Sequence, residues 1–368
     1  MLSHTYYGGV YRVGSHHLLD NFRREGFEVT YLSTPLSILH LVKLHDERVR
    51  ARFKVLLTNM FFLKNTQLIP LTLFPVSSRF FYSGILGLFK KKVFFTNNIS
   101  EQGFDLILID QPLLEFMVNR GMSQNIIYRP TDIYEEIIFN KALVARCEKQ
   151  ILEKSTGLIS TSQGVLEFLK NKYPKLVKEQ KSLVVENGVD IKHFQSKAVL
   201  PEEYKKQDKF KVVYVGALDG RFGIEDVLYA AEKLVCCHFF LIGNGCLYDK
   251  YKDVKLSNIT FLGARAYENI PAYLQYADCT LLPMKNSPVN ESRSPMKYYE
   301  YLAVRKSFIC SWSRHLVARK NNGVTFYKNK EELVKCLRKA QKNDVIEVED
   351  IQDMDWSAKA KKVLNFCL

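Results

Sequence analysis

Runs of apolar and β-branched residues alternate with amphipathic stretches along almost the whole chain. The first half carries five such runs: FEVTYLS (Phe27–Ser33), FDLILID (Phe104–Asp110), NIIYR (Asn125–Arg129), GLIST (Gly157–Thr161) and SLVVE (Ser182–Glu186). Each has the length of a strand, and the segments between them have helical spacing, which together predict βαβ units and a parallel sheet. The longest helical pattern, Tyr134 to Lys154, sets Ile138, Leu143, Ala145 and Ile151 among charged residues and stops near Gly157. A polar, lysine-rich stretch from Gln195 to Lys209 interrupts the alternation and predicts a linker. Six further runs follow: Phe210–Gly216, His238–Gly243, Asn258–Gly263, Cys279–Pro283, Ser307–Ser311 and Gly323–Tyr327. The last segment, Asp353–Leu368, spaces Trp356, Val363, Leu364 and Phe366 for one face of a terminal helix.

This pattern predicts an α/β protein of two Rossmann-like, doubly wound domains, with ligands taken between them at the carboxyl ends of the strands. The boundaries expected are 1–190 for a first domain, 191–350 for a second, and 351–368 for a helix crossing back to the first domain. A length of 368 residues suits two domains of about 150 to 200 residues each. With 47% hydrophobic and 25% charged residues the chain has a globular composition, which excludes a disordered tail or a collagen-like fibre. No run approaches the roughly 18 apolar residues of a membrane span, and MLSHTYYGGVYR has no signal-peptide core, so the expected compartment is the cytoplasm.

The net charge of +14 is polarised: residues 1–100 hold 13 basic and 5 acidic side chains, which leaves +6 for the rest. Leu36 to Phe95 contains ten basic residues, two acids and ten aromatics. Aromatic rings settle at headgroup level while Lys and Arg meet lipid phosphates, so this region is expected to touch an anionic membrane surface. The bland reading is core aromatics with a solvated basic face. Nucleic acid ranks lower as a partner, because no zinc-finger, RRM or helix-turn-helix pattern accompanies the charge. The eight cysteines form no C-x-x-C pair and are expected to be reduced, mostly buried thiols.

The segment SPMKYYEYLA (Ser294–Ala303) follows a strand and its loop. A helix beginning at Ser294 with Pro295 in its first turn would present unpaired N–H groups and a positive dipole end to an anion. Lys297 adds a full charge for a diphosphate, and Glu300, three residues on, can accept bonds from the two hydroxyls of a ribose. The alternative is a helix cap with both charges solvated. Gly8 and Gly9, Gly216, Gly243, Gly245 and Gly263 follow strands or turns, where a missing Cβ allows close approach of a ligand. Arg221, in GALDGR, lies just beyond a strand end and could clamp a phosphate. In YRPTD, Asp132 is a candidate general base and Arg129 a candidate partner for an acidic substrate group. Asp132 as a helix cap is the competing reading. His4 is a second candidate base, and Asn187-Gly188 reads as a left-handed turn. No metal or cofactor is expected, since the one D-x-D, Asp353-Met-Asp355, falls before the terminal helix.

In its order of motifs the chain resembles the GT-B glycosyltransferases: ENGVD, VVYVGAL, FLIGNG, NITFLGARAYENIPAYLQYADCTLLP and SPMKYYEYLA. Together with LSH near the start and YRPTD, these are similar to the membrane-associated glucuronosyltransferases of bacterial exopolysaccharide assembly, of the xanthan type. The resemblance implies a metal-independent transferase, peripheral at the inner face of the cell membrane, that moves a sugar from a UDP-sugar donor to a lipid-linked oligosaccharide or polysaccharide acceptor. It implies Asp132 as the base of an inverting transfer. It places Leu218, Met296, Lys297 and Glu300 at UDP and Ala264 at the uracil through its backbone, which adds to the nucleotide site read above from Gly216, Arg221, Gly243, Gly245 and Ser294. Glucuronic acid is the donor sugar implied, with Arg129 to meet its carboxylate. The chain departs from that pattern in a shortened first strand or sheet edge, in Met284 where an aromatic is usual, and in Ser292 where retaining relatives carry a glutamate, Glu291 standing one position off. The rival readings are a retaining hexosyltransferase using Glu300 and Glu291, a non-catalytic nucleotide-sugar-binding protein, and a phosphorylase or epimerase.

Overall fold

The computed structural model describes residues 1–7, 12–44, 46–61, 67–72, 74–76, 103–342 and 350–368. Gly8 and Gly9 lie outside the described residues, as does much of the basic aromatic region. Two compact units are formed, one by Met1–Glu186 with Ala360–Leu368 and the other by Asn187–Lys359.

In the first unit the strands are β1 (Leu2–Ser3), β2 (Tyr31–Ser33), β3 (Leu36–Ser37), β4 (Gln67–Leu68), β5 (Leu71–Thr72), β6 (Ile107–Ile109), β7 (Ile126–Tyr128), β8 (Gly157–Ser160) and β9 (Lys181–Val184). Seven of them make one parallel sheet in the order β4-β2-β1-β6-β7-β8-β9, and β3 pairs with β5. Strands such as β6 and β7 are buried at every position, which is why they read as unbroken apolar runs and not as alternating ones. β1 is only two residues long, yet it lies inside the sheet between β2 and β6, which corrects the expectation of a shortened edge. From β1 the chain winds one way to β2 and later resumes on the other side at β6, so the winding reverses between β1 and β6.

The helix expected from Tyr134 is divided. A 3-10 turn, Tyr134–Glu136, comes first, and the α-helix runs from Lys141 to Lys154. Asn140 sets the later start, because its side chain accepts from Leu143 N at 3.1 Å and supplies the cap. The end of the terminal helix, Trp356–Cys367, folds with this unit. Phe366 fills the space beside Gly157, where an added Cβ would stand 3.2 Å from its ring.

In the second unit β10 (Phe210–Val215), β11 (Cys237–Ile242), β12 (Ile259–Gly263), β13 (Cys279–Leu282), β14 (Ser307–Ser311) and β15 (Val324–Tyr327) form a parallel sheet in the order β12-β11-β10-β13-β14-β15. Its winding reverses between β10 and β13. The lysine-rich stretch is no linker: Tyr204 is buried against Phe240, 4.5 Å between ring centroids, and donates to Tyr273 O at 3.1 Å. The units divide instead at Glu186/Asn187, where neither Asn187 nor Gly188 has a positive φ. Gly188 is required for another reason, since a Cβ there would stand 2.5 Å from Met354 O. Five of the eight free cysteines are buried and Cys336 is partly so, whereas Cys236 and Cys246 are exposed.

Candidate functional site

Reversal of winding brings loops together at the carboxyl ends of adjacent strands, where open parallel sheets take ligands. Each unit has such a point, and the sequence-predicted residues divide between them.

In the second unit the loops after β10, β11 and β12 are tied back to back. Leu218 N donates to Asn244 O at 3.0 Å, Leu247 N donates to Leu218 O at 2.9 Å, and Ala264 N donates to the Asn244 side chain at 3.0 Å. Gly243 and Gly245 have φ of 147° and 150°, and a Cβ on them would lie 1.8 Å from Gly216 O and 2.3 Å from Leu218 O. These glycines therefore let two protein loops touch, which is a different reason from close approach of a ligand. Gly216 in turn leaves room for the Tyr214 hydroxyl, 2.4 Å from where its Cβ would be. Of the Ala264 backbone, expected at the uracil, the N–H is bonded within the protein.

The Arg221 guanidinium is held by Asp219, with Nη2 to Oδ2 at 2.6 Å and Nε to Oδ1 at 3.0 Å. Partial burial opposes ionisation of Asp219, but the bonds and charge of Arg221 outweigh it and hold the carboxyl below its ordinary value. The Arg221 carbonyl accepts from Lys285 N and from the Asn290 side chain, both at 2.9 Å, so this turn is fixed from the loop after β13.

The helix of the SPMKYYEYLA segment is Met296–Ala303, with Pro295 as an N-cap that has no side-chain bond. Ser294 is not part of it: it is buried, accepts from Asn187 N at 3.1 Å, and pairs with the Tyr299 hydroxyl at 2.8 Å. Asn187 Nδ2 donates to Ser294 O, so ENGVD and SPMK are joined across more than a hundred residues. Met296 is half-buried. Lys297 Nζ lies 2.7 Å from Glu300 Oε2, with the lysine 27% and the glutamate 1% exposed. The reading of both charges as solvated fails at Glu300. Its other oxygen, Oε1, is buried with no hydrogen-bond partner, an uncommon state for a carboxylate and the kind of vacancy a polar ligand can satisfy.

In the first unit His4, Asp110 and the Arg129–Asp132 turn follow β1, β6 and β7. Asp110 is fully buried; it accepts from Ser15 and from Arg129 Nη1, the latter at 3.2 Å. The expectation that Arg129 meets a substrate acid does not hold, because its side chain is 1% exposed and faces Asp110. Tyr134 donates to Asp110 O at 2.6 Å and pairs with Thr131 at 2.8 Å, while Thr161 donates to Thr131 O at 2.9 Å. This frame holds the turn carrying Asp132, which is half-buried. His4 presents its ring edge to Tyr134, 6.5 Å between centroids. His4 is exposed, yet the protein packed around it lowers its pKa, an effect that Asp110 and Asp132 oppose. Asp110 was not among the candidate residues, and its signal in the sequence is a charged side chain directly after the apolar run FDLILI.

Of the rival glutamates, Glu291 accepts from Arg314 N at 2.7 Å, and Ser292 is buried beside it. The D-x-D is structural: Asp355 accepts from Ile191 N at 3.1 Å and from Ser357 N at 2.8 Å. Among the described residues no group of three or more His, Cys, Asp or Glu side chains is arranged to hold a metal ion. No helix among them is long and apolar enough to cross a membrane. Of the basic aromatic region, the 3-10 helix Ile38–Lys43 exposes Leu39 and Val42, the latter by 82%.

The chain has the α/β fold with parallel-strand sheets found in GT-B glycosyltransferase structures. Residues 209–343 match the family model of the Glycosyl transferases group 1, a stretch that lies within the second unit. The sucrose-phosphate synthase of Thermosynechococcus elongatus matches 96% of this chain and 91% of its own, with a TM-score of 0.68 at 15% identity. Anabaena HepE, solved in complex with UDP-glucose, matches 99% of this chain and 98% of its own, also with a TM-score of 0.68 at 15% identity. A curated relative is a candidate teichuronic acid biosynthesis glycosyltransferase, TuaH, of Bacillus subtilis (strain 168), 22% identical over 180 residues. That alignment covers 46% of this chain and 44% of TuaH, so the matched part is less than half of either protein.

Proposed function

We propose that this chain is a glycosyltransferase that takes its sugar from a UDP-linked donor. The observation that carries the reading is the Lys297–Glu300 pair at the start of an uncapped helix, with one buried carboxylate oxygen left unbonded. A nucleoside diphosphate answers both needs: its ribose hydroxyls donate to Glu300, and its phosphates meet Lys297 and the helix N-terminus. The group 1 family match over residues 209–343 and the UDP-glucose complex of HepE support the same donor class.

In this reaction the acceptor hydroxyl oxygen bonds to the anomeric carbon as the carbon–oxygen bond to the diphosphate breaks. Asp132 takes the hydroxyl proton, and UDP leaves with its negative charge held by Lys297, Arg221 and the helix N-terminus. We assign an inverting course, a lipid-linked oligosaccharide or polysaccharide acceptor, and contact of the basic aromatic region with an anionic membrane. Leu39 and Val42, with Ile38, Leu44 and Leu57, are exposed apolar residues in the described part of this region and favour the contact. A glucuronic acid donor loses its residue-level support with the burial of Arg129, and rests on the motif resemblance.

Thermal stabilisation by UDP, UDP-glucose, UDP-galactose, UDP-N-acetylglucosamine and UDP-glucuronate tests the reading, because a ligand of the native state raises stability with the logarithm of its saturation. The expected result is a shift with UDP and a larger one with a single donor. No shift with any of the five overturns it.

A further inference from the structure

A cavity of about 480 Å³ opens on the second unit between the loops that follow β10, β13, β14 and β15. That volume lies in the range of small-molecule sites, about 300–1,000 Å³. Leu218, Ala264, Lys297 and Glu300 are not among its lining residues, so it is separate from the helix tip assigned to the nucleotide.

Its lining combines a large aromatic face with charges of both signs, acidic in excess. Trp312 is 45% exposed and is anchored by its backbone N–H, which donates to Tyr327 O at 2.7 Å. The Lys328 ammonium lies 5.7 Å from the indole centroid. Asp226 accepts from the Tyr327 hydroxyl at 3.1 Å and is half-buried, while the neighbouring Glu225 is exposed. Lys285 and Lys328 share the lining with Glu225, Asp226 and Glu291, a net formal charge of −1.

This composition selects a class of ligand by elimination. A second phosphate or a uronic acid would enter a net negative cavity. A purely apolar ligand would cover carboxylates and ammonium groups without replacing their bonds to water. A neutral pyranose meets both halves of the lining, because one face of the ring presents C–H groups to an indole while its hydroxyls donate to carboxylates.

We propose that this cavity is a carbohydrate subsite that holds a pyranose of a neutral glycan, apart from the nucleotide's own site. The Asn290 side chain, in the cavity wall, donates to the carbonyls of Arg221 and Lys285 at 2.9 and 2.7 Å, so the subsite adjoins the Arg221 turn.

The chain has two tryptophans, and Trp356 is buried, so Trp312 is the natural fluorescent reporter. Methyl glucoside, methyl galactoside and maltose are titrated into the full chain, with binding followed by tryptophan fluorescence and by saturation-transfer NMR. The proposal expects a saturable response to at least one of them in the millimolar range, unchanged by saturating UDP. By NMR, Trp312→Ala, Asp226→Asn and the exposed Glu225→Gln weaken that binding about tenfold or more. The UDP-induced thermal shift, which reports a folded second unit, stays at the wild-type level in all three. The proposal is overturned by absence of a saturable response to all three sugars, or by unaltered binding in Trp312→Ala. It is overturned equally if UDP displaces the sugar, because the response then belongs to the donor's own hexose.

Discussion

The Tyr301 hydroxyl makes two hydrogen bonds to one residue, accepting from Val215 N at 2.7 Å and donating to Val215 O at 3.2 Å. It thereby pins the helix of Lys297 and Glu300 to the carboxyl end of β10. Tyr301→Phe leaves two buried backbone groups without that partner, at a cost of about 1–3 kcal/mol. The urea midpoint should fall accordingly. A midpoint equal to wild type removes Tyr301 as the anchor.

Lys297 and Glu300 are assigned to different parts of one ligand, and the two assignments separate experimentally. Lys297→Ala should weaken UDP about tenfold or more and leave uridine binding nearly unchanged, because only UDP carries the diphosphate. Glu300→Gln should weaken both, since both carry the ribose. Calorimetric titration of the two ligands against the two variants reads this directly. An equal loss of uridine affinity in Lys297→Ala contradicts the division.

Asp132→Asn removes a proton acceptor with little change of volume. Transfer should slow by about 10²–10⁴-fold, the usual contribution of a positioned base. UDP affinity should stay at the wild-type level. Turnover that survives the substitution, measured on whichever donor stabilises the protein most, removes Asp132 from the chemistry.

Glu148 gives the first unit a dependence on pH. Burial raises its carboxyl to about 7 from an ordinary value of 4.5, against the opposing bond from the Tyr128 hydroxyl at 2.8 Å. Between those two values the native state holds a proton that the unfolded chain has lost. Stability contributed by this group is therefore full below about pH 4.5, declines as pH rises to 7, and is lost above it. The total is about 3 kcal/mol at most. Glu148→Gln should flatten this decline and raise Tm at pH 8. A variant whose Tm falls with pH as wild type does contradicts the assignment.

How much of this was legible in the sequence depended on whether the deciding interaction was local. All eleven apolar runs overlap a strand, although only Tyr31–Ser33 of the run Phe27–Ser33 is one; in strands such as β6, β7, β8, β11 and β13, burial at every position writes a continuous apolar signal. Two-residue strands such as β3 and β4 are too short to write one. The split of the Tyr134–Lys154 segment turned on the side chain of Asn140, a cap that periodicity alone does not register. The stretch around Tyr204 looked like a linker from its lysines, while its single buried tyrosine decided the packing. Arg129 stands at a strand end as expected, but its burial goes with Asp110, nineteen positions earlier and just past the end of the adjacent strand. The placement of Lys297 and Glu300 on one helix face is legible from their i, i+3 spacing, but their pairing with each other is not. Nor is the unbonded oxygen of Glu300, since it depends on the residues packed around the helix.

Phe366 beside Gly157 makes the first unit discontinuous in sequence: its last structural piece is encoded after the whole of the second. During synthesis this unit therefore cannot complete its packing while only its first 186 residues have left the ribosome. It must wait for its neighbour to be translated, so the order of maturation is set by where residues 360–368 fall in the chain.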